Sequence, residues 1–579
     1  RAAGVADPDA LVARLSASWP GGAPPAPVLA ALAGAPDPVL AVASLIRLRD
    51  ALPEAVEAAA ADATRGAALV ALLGASNMMV RLLIAEPMHW PALLGADEAL
   101  TPISAVEPRP ELPIAASPEE LARLLRVFKR RRVLLIAARD LLGRSTLTET
   151  MTELSRLAED ALEVAVAAVR ARLVAAHGDV VVDGAPLGFS VLGMGKLGGG
   201  ELNFSSDIDL VYLYADGGTE STGGPRGTLS AREFMSRLAE GVTRALHQAT
   251  DDGFVFRVDL RLRPEGTNGP IVNSLANALL YYESWGQTWE RAAYLKARPV
   301  AGDCALGDAL LRDLEPFVYR RYLDYAMLDD LKQMKARVKR ALAAGPDKGM
   351  NVKLGRGGIR EVEFVVQSLQ LIHAGKDERI RERNSLAALA RFVETRYLSA
   401  DESRRLADAY RFLRDVEHKI QLVDERQTQV IPSGEGEVQL ARRLGYRDLD
   451  PAAALARFQA DRRRHMDAVA TSFTDLFYGS QATFAEADDG RYARLLAGLD
   501  DDADKAEAEL AALGFRDPRS ARDDLVLLRD GAPSSRATPR RKQLLLAVAP
   551  ALLGEVARAP DPDLALRHLA GFMGAIGAR

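Results

Sequence analysis

Hydrophobic positions recur with helical spacing along most of this chain, and one central stretch breaks the pattern. Residues 1–115 are rich in Ala and Leu, and residues 116–178 continue the helical periodicity in a longer segment. Residues 179–302 carry short alternating runs rich in β-branched and aromatic side chains. Helical spacing returns over 303–480 and, after an Asp-rich break, over 481–579. We therefore predict an α+β chain, mostly helical, with five parts: a helical region, a helical arm, a core with a small mixed sheet, a helical bundle and a helical linker.

The helical arm has a recognisable start. Ser117 is followed three residues later by Glu120, which makes a capping box at the beginning of a helix. The apolar spacing then continues to His177, so we expect one long helical segment. Within it lies the basic run 129–132, which is either a contact for phosphate or a partner, or a solvated helix face.

Composition excludes several classes of protein. The 579 residues carry a formal net charge of −5, so no global basic field attracts nucleic acid or an anionic membrane. Cys304 is the single cysteine, which excludes an intramolecular disulfide and any zinc site built from several cysteines. We find no apolar run of about 18 residues. We expect a cytoplasmic protein with no membrane and no nucleic-acid partner.

Residues 191–214, VLGMGKLGGGELNFSSDIDLVYLY, contain a GxGxxG at Gly193, Gly195 and Gly198. A dinucleotide-binding fold requires a helix directly after these glycines. Further glycines and an Asn/Ser cluster follow instead, and each glycine opposes helix by about 1 kcal/mol relative to Ala. We reject the dinucleotide interpretation and predict a strand, a glycine-rich turn and a second strand that begins at Asp207.

Asp207 and Asp209 project to one face of that second strand, because residues two apart share a face. Neighbouring carboxylates repel each other, and a divalent cation relieves the repulsion. Oxygen ligands suit Mg²⁺ or Mn²⁺, which also bind nucleotide phosphates. Lys196 in the turn and the Ser206 hydroxyl are candidate phosphate contacts.

A third carboxylate is expected from GFVFRVDLRLRP, because phosphoryl-transfer sites with two metals usually hold more than two. Strand alternation would put Asp259 on one face with Arg257, Arg261 and Arg263. Such a face suits a metal together with phosphates. The alternative is a surface ladder of salt bridges.

These motifs resemble a known family. Gly193 with the run from Ser206 to Asp209 resembles the signature of the DNA polymerase β-like nucleotidyltransferase superfamily. Longer strings, from about residue 60 to at least 475, resemble the glutamine synthetase adenylyltransferase family. Those strings are GMGKLGGGELNFSSDIDL, GFVFRVDLRLRPEGTNGPIVNS, TWERAAYLKARPVAGD, RRYLDYAMLDDLKQMK, NVKLGRGGIREVEFVVQSLQL and LADAYRFLRDVEHKIQLVDERQTQVIP.

Members of this family resemble two nucleotidyltransferase modules in tandem. The first removes AMP from a glutamine synthetase tyrosine by phosphorolysis, and the second adds AMP from ATP. Asn203-Phe204-Ser205 resembles the first module, and the tail resembles the link to the second. We therefore expect the N-terminal, deadenylylating half of a longer chain, with glutamine synthetase as protein substrate and a PII-type signal protein as partner.

The resemblance and the patterns together give a set of expected site residues. Asp207, Asp209 and Asp259 would be catalytic and would bind Mg²⁺. ADP or ATP and inorganic phosphate would be substrates or products. The residues expected to bind nucleotide or phosphate are Gly193, Gly195, Lys196, Gly198, Gly199, Ser206, Arg261, Arg263, Lys296, Arg298, Arg360 and Glu363.

Some of these residues have simpler explanations. Lys296 and Arg298 could be surface charge, and Arg360 with Glu363 could be an ordinary ion pair on a helix that begins after Gly358. Three other functions also remain open: ATP-dependent adenylylation, a non-catalytic module that binds glutamine synthetase or a PII-type protein, and nucleotidyl transfer to RNA or an antibiotic.

Overall fold

A computed structural model of the chain describes residues 7–94, 103–111, 116–251, 253–320, 350–447 and 450–485, and most of 494–532 with shorter pieces up to 576. The chain divides into two compact units, Arg1–Ser472 and Phe473–Arg579. The described part is mostly helical with small sheets, so the predicted α+β class is confirmed. The resembling string at 320–335 lies almost entirely outside the described residues.

The N-terminal region is a set of short helices, several of which begin at an Asp or Ser cap. Asp37, Asp62 and Ser76 each accept a hydrogen bond from a backbone N–H in the first turn of the helix that follows. The α-helices are Pro8–Ser18, Ala26–Leu32, Pro38–Ala51, Pro53–Ala61, Ala63–Ala75, Asn77–Ala85, Trp90–Leu94 and Ile103–Val106, with 3-10 turns at Pro20–Gly22 and Pro87–His89.

The predicted helical arm consists of two helices, Pro118–Leu141 and Leu147–His177. Gly143 between them has φ +68, a left-handed conformation that a helix does not contain. The capping box of Ser117 and Glu120 is confirmed, with the Glu120 carboxylate 2.7 Å from the Ser117 backbone N.

The basic run in the first arm helix is neither a phosphate site nor a solvated face. Arg130 and Arg131 both pair with the buried Glu86, each at 2.8 Å. Arg132 is buried and donates to the Glu107 backbone carbonyl, and Lys129 pairs with Glu425 at 2.7 Å. The run therefore joins the arm to neighbouring segments of the first unit.

The central sheet has five strands: β3 (Phe189–Gly193), β4 (Asp207–Tyr214), β5 (Arg257–Asp259), β6 (Val272–Ser274) and β7 (Arg298–Gly302). β3 lies between β4 and β7 and is antiparallel to both. β5 and β6 both run parallel to β4, β5 beside its beginning and β6 beside its end. A separate hairpin pairs β1 (Val181–Val182) with β2 (Ala185–Pro186). The sheet is thus mixed, as predicted.

Helices cover this sheet and continue beyond it. Those between and after the strands are Gly195–Gly198, Ala231–His247, Leu275–Ser284, Thr288–Tyr294, Cys304–Asp313 and Glu315–Val318, with a 3-10 turn at Gly266–Asn268. The later ones are Ile359–His373, Ser385–Glu394, Ala400–Gln421, Glu435–Arg443 and Pro451–Ala485, with a 3-10 turn at Glu378–Ile380. One apolar core runs from Leu15 in the first helix through the arm to Val191 and Ile208 in the sheet.

The second unit has its own core, which includes Leu510, Leu525 and Leu566. Its helices Ala503–Ala512, Pro518–Asp530 and Pro562–Ile576 accompany a short hairpin of Gly531–Ala532 with Ser535–Arg536. No described helix in either unit combines the length and apolar character needed to cross a membrane.

Candidate active site

The glycine turn brings the backbone against the carboxylate of Asp209. β3 ends at Gly193, and the Met194 N–H donates to the Asp209 backbone carbonyl at 2.9 Å. Gly195 has φ +50, and a Cβ there would lie 2.9 Å from Asp209 Oδ2. A short helix of four residues, Gly195–Gly198, occupies the turn and ends at the glycines that follow. The predicted order of strand, turn and strand is confirmed, with β4 beginning at Asp207.

The register of β4 and β5 brings the three predicted carboxylates together. Asp207 lies opposite Arg257, and Asp209 lies opposite Asp259. All three aspartates line one cavity of about 270 Å³. The other lining residues are Gly195, Lys196, Asn203, Ser205, Ser206, Arg261, Lys296, Lys353, Glu363, Gln367, Gln427 and Gln429.

Two of the three carboxylates are held by side chains of the protein. Arg257 Nε lies 2.5 Å from Asp207 Oδ1, and the Gln427 amide donates to Asp207 Oδ2 at 3.2 Å. Arg261 donates its backbone N–H and its guanidinium to Asp259, which lowers the pKa of that carboxyl. Within the described ranges, no group of three or more His, Cys, Asp or Glu side chains is already arranged to hold a metal ion.

Asp209 differs from its neighbours because its side chain has no hydrogen-bond partner among the described residues. Burial raises the pKa of this carboxyl to about 6, and the negative charges of Asp259 and Asp207 add to the shift. An ionised Asp209 is therefore held in a site that disfavours its charge. Such a carboxylate is stabilised by any cation that enters the cavity.

Lys196 connects the turn to a distant helix. Its ammonium lies 3.3 Å from Glu417 Oε1 and 3.2 Å from the Asn203 amide oxygen. Burial lowers the pKa of Lys196 to about 8, although the Glu417 charge opposes the shift. Ser206, the other polar residue predicted at the turn, donates its hydroxyl to Asn203 Oδ1.

Lys296 and Arg298 are not surface charges. Lys296 is buried and pairs with the fully buried Glu201 at 2.6 Å, while also contacting the Ser385 hydroxyl. Arg298 pairs with Glu159 at 2.5 Å and donates to the backbone carbonyl of Gly198. Lys296 still lines the cavity, whereas Arg298 does not.

The remaining predicted glycines are close-packed positions. A Cβ at Gly193 would lie 2.8 Å from Val300 Cγ1, and one at Gly198 would overlap the Lys296 carbonyl oxygen. At Gly199 the nearest atom would be the Arg383 carbonyl oxygen, at 3.0 Å. These three glycines let the turn pack against its neighbours, and only Gly195 lines the cavity itself.

The prediction that the Arg257 strand extends through Arg263 is wrong, because β5 ends at Asp259. The chain then turns, and the Arg263 guanidinium donates to backbone carbonyls, including Gly269 at 3.1 Å and Leu260 at 3.0 Å. Arg263 thus fixes its own loop and does not line the cavity.

The helix predicted after Gly358 is confirmed as Ile359–His373. It brings Glu363 and Gln367 to the cavity, but Arg360 is exposed and does not line it. Burial disfavours the charge of Glu363, yet the nearby cations, Lys296 first among them, hold the pKa of this carboxyl below its ordinary value.

Several site residues were not predicted. Lys353 precedes that helix, and Gln427 and Gln429 follow the helix Ala400–Gln421. All three occur within strings that carry the family resemblance, but no local spacing distinguishes them. They reach the cavity through the tertiary fold alone.

The helix Ala400–Gln421 fixes the loop between the turn and β4. Arg414 donates to the Glu201 backbone carbonyl at 2.6 Å and pairs with Glu417 at 3.2 Å. Gln421 Oε1 accepts from the Asn203 side chain at 2.9 Å and from the Ser205 backbone N–H at 3.0 Å. A helix about 200 residues further along the chain therefore positions the residues that lead into Asp207.

Comparison with known proteins identifies families and relatives that this chain resembles. Residues 66–313 match a family model described as glutamate-ammonia ligase adenylyltransferase, and residues 326–477 match one described as GlnD PII-uridylyltransferase. The cavity is lined from both regions: Asp207, Asp209 and Asp259 lie in the first, and Lys353 and Gln427 lie in the second.

Three curated relatives carry the name bifunctional glutamine synthetase adenylyltransferase/adenylyl-removing enzyme. The protein of Thioalkalivibrio sulfidiphilus is 39% identical over 523 residues, which cover 88% of this chain and 53% of that protein. The protein of Nitrosococcus oceani is 41% identical over 462 residues, covering 78% and 46%. That of Xanthomonas campestris pv. campestris strain B100 is 38% identical over 501 residues, covering 86% and 51%. The chain thus spans about half the length of these relatives, and it belongs to the glutamine synthetase adenylyltransferase family.

Proposed function

We propose that this chain removes AMP from an adenylylated tyrosine of glutamine synthetase by phosphorolysis, as the N-terminal half of a bifunctional enzyme. One observation carries the proposal: the β4–β5 register gathers Asp207, Asp209 and Asp259 on the wall of a cavity that the glycine turn closes. A pure binding module has no need for three carboxylates in one cavity. In this proposal the sheet with its glycine turn is a nucleotidyltransferase core of the DNA polymerase β-like type.

The donor set fits a divalent cation. Three carboxylates supply the hard oxygen ligands that Mg²⁺ prefers, and the Asp209 side chain has no hydrogen-bond partner among the described residues. Asp207 and Asp209 would hold the ion, and Asp259 would complete its ligands once Arg257 and Arg261 turn toward phosphate oxygens. A bound Mg²⁺ would neutralise charge on the reacting phosphate groups. Mn²⁺ has the same preference for oxygen ligands.

The reaction exchanges one phosphorus–oxygen bond for another. An oxygen of inorganic phosphate attacks the phosphorus of tyrosine-bound AMP, and the bond from that phosphorus to the tyrosine oxygen breaks. The products are ADP and a tyrosine that takes up a proton. Because the tyrosine pKa is about 10, its oxygen is a tolerable leaving group. Asp259 is the candidate acceptor for a proton from the attacking phosphate, and the reaction proceeds mainly by positioning and charge neutralisation.

Cationic and polar groups around the carboxylates suit phosphate oxygens. Arg261 is three-quarters exposed and lines the cavity, so its guanidinium, which pairs with Asp259 in the structure, is accessible to an entering phosphate. Lys196 and Ser206 line the same cavity. Lys296 forms an ion pair with Glu201, the residue that directly follows the glycine turn, and so fixes the position of the turn.

The direction of the reaction rests on fewer residues. The sequence Asn203-Phe204-Ser205 before the carboxylates resembles the first of the two modules of the family. A PII-type signal protein is the proposed regulatory partner, supported by the match of residues 326–477 to a PII-uridylyltransferase model. ATP-dependent adenylylation needs the same parts and is the second candidate.

A test with two arms separates these functions. The chain is mixed with adenylylated glutamine synthetase, Mg²⁺ and inorganic phosphate while ADP release is followed. In parallel, unmodified glutamine synthetase is offered with labelled ATP. ADP release without label transfer supports the proposal, and label transfer alone contradicts it in favour of adenylylation. Absence of both, in a folded chain that binds no nucleotide in Mg²⁺, favours a non-catalytic module for glutamine synthetase or a PII-type protein.

A further inference from the structure

Lys353 lines the cavity and lies in the segment before the helix Ile359–His373. Its backbone is fixed on both sides. The Arg360 N–H donates to the Lys353 carbonyl at 3.0 Å, and the Val352 N–H donates to the Gln429 carbonyl at 3.0 Å. The side chain of Lys353 therefore starts from a defined point on the wall.

The other cations on the wall already have carboxylate partners. Lys196 pairs with Glu417, Lys296 with Glu201, and Arg261 with Asp259. Among the described residues, the Lys353 ammonium forms no hydrogen bond or ion pair. Lys353 is thus a cation of the cavity that no carboxylate of the described chain holds.

The Lys353 charge nevertheless acts inside the site. It favours the ionised forms of Asp209 on the sheet and of Glu363 on the helix Ile359–His373, and it disfavours the charge of Lys196. The ammonium therefore lies within electrostatic reach of all three side chains. Asp209 and Glu363 also have no direct hydrogen-bond partner in the described part of the chain. One cation and two carboxylates that line the same cavity therefore lack a direct hydrogen-bond partner among the described residues.

We propose that Lys353 is a catalytic residue that binds a phosphate oxygen of the reacting groups. This inference rests on the proposed function, because it supplies a phosphate contact for that same site. Lys353 supplies a positive charge without a direct partner, and Asp209 and Glu363 supply negative charges without one. Such a set suits a ligand with both negative and positive charge, such as a phosphate bound to a divalent metal. The compact lysine ammonium would offset negative charge on the phosphate oxygens as the new bond forms. The ligand class is a phosphate-bearing substrate, either inorganic phosphate or the AMP group on tyrosine.

The test uses Lys353→Met, which keeps the length of the side chain and removes its charge. Lys376→Met is the matched control, because Lys376 is exposed just beyond the same helix and does not line the cavity. Lys353→Arg tests whether a cation alone suffices. Unfolding midpoints of the variants are measured first, so that binding and activity are compared only between folded proteins.

The readouts are the Kd for ADP in Mg²⁺ by calorimetry, and the KM values for inorganic phosphate and for adenylylated glutamine synthetase. We expect Lys353→Met to raise the Kd for ADP and one of the two KM values. Each should rise by about tenfold or more, because that is the usual effect of losing a charged hydrogen bond. Lys353→Arg should recover part of the loss. A rise confined to inorganic phosphate identifies the attacking group as the ligand of Lys353. A rise confined to the adenylylated protein identifies the AMP phosphate.

Failure of this inference is distinguishable from failure of the proposed function. If the wild type binds and releases ADP while Lys353→Met does both as well as Lys376→Met, the role of Lys353 is refuted and the function stands. If the wild type binds ADP and Lys353→Met binds it about tenfold more weakly, but neither releases ADP, the phosphate contact is supported and the phosphorolysis is refuted. A wild-type chain that neither binds nor releases ADP refutes both.

Discussion

Asp209 and Asp259 lie directly opposite each other on two parallel strands, and both side chains face one cavity. Adjacent strands are about 4.8 Å apart, so the two carboxylates repel each other wherever no cation separates them. Arg261 binds Asp259, while Asp209 is left without a partner among the described residues. The negative charge of Asp209 therefore destabilises the folded chain, at the position where the proposed reaction needs a carboxylate to bind the metal ion.

Asp209→Asn should make the metal-free chain more stable at neutral pH. The folded protein raises the pKa of Asp209 to about 6, so stability is lost as pH rises through 6 and the ionised group is disfavoured above it. We expect the free energy of unfolding to increase by up to about 3 kcal/mol at pH 7.5, and the gain to vanish near pH 4. Chemical denaturation in EDTA measures both. A variant less stable than the wild type at pH 7.5 would contradict this account of Asp209.

Gly195→Ala should displace the Asp209 carboxylate. The new Cβ would lie 2.9 Å from Asp209 Oδ2, and the backbone has φ +50. Gly143→Ala is the matched control, since its φ is +68 and no atom lies within 4 Å of the added Cβ. Both variants should lose about 1 kcal/mol of stability from the left-handed backbone. Only Gly195→Ala should also lose activity, by about tenfold or more; equal activity in the two variants would refute the crowding.

The sequence predicted the parts of this site that are local in the chain. The glycine turn and the two aspartates follow from residues 191–214, and the expectation of a third carboxylate at such a site led to Asp259, which lies opposite Asp209. Strand alternation also placed Arg263 on the face of Asp259. The same alternation failed at Arg263, because a strand of three residues gives way to a turn whose carbonyls bind the guanidinium.

Long-range pairing explains the remaining differences. Lys296 and Arg298 were expected to bind phosphate or to be surface charge, yet their partners Glu201 and Glu159 lie 95 and 139 residues away in the chain. Lys353 and Gln427 reach the cavity because helices far along the sequence pack on the turn. No periodicity encodes such a contact, and only the folded chain reveals it.

Gln421→Leu should destabilise the loop that leads into Asp207. The Gln421 side-chain oxygen accepts two hydrogen bonds in the buried interior, from Asn203 and from the Ser205 backbone. Leaving two buried donors unpaired costs about 2–4 kcal/mol. Gln459→Leu, which removes a single half-buried contact with Glu437 on another helix, should cost less than about 1 kcal/mol. Denaturation curves for the two variants test this ranking, and equal losses would argue against a positioning role for Gln421.

His418 should make the protein sensitive to acid. It is fully buried against Phe204, and neither ring nitrogen has a hydrogen-bond partner in the described part of the chain. Burial, with the charges of Arg414, Lys419 and Lys196, holds its pKa well below the ordinary value. The unfolded chain then binds a proton below about pH 6.5 that the folded chain does not, so stability falls as pH falls. His418→Leu should reduce this loss by about 1.4 kcal/mol per pH unit below 6.5; an unchanged slope of unfolding free energy against pH would contradict it.

The central claim is that the carboxylates of β4 carry out the removal of AMP. The most direct measurement is the initial rate of ADP release from adenylylated glutamine synthetase, in Mg²⁺ and inorganic phosphate, by Asp207→Asn and by Asp408→Asn. Asp408 is an exposed helix residue paired only with Arg411 among the described residues, so its variant controls for the substitution itself. We predict that Asp408→Asn retains the wild-type rate and that Asp207→Asn loses roughly a hundredfold or more while remaining folded. A folded Asp207→Asn that releases ADP at the control rate would contradict the account.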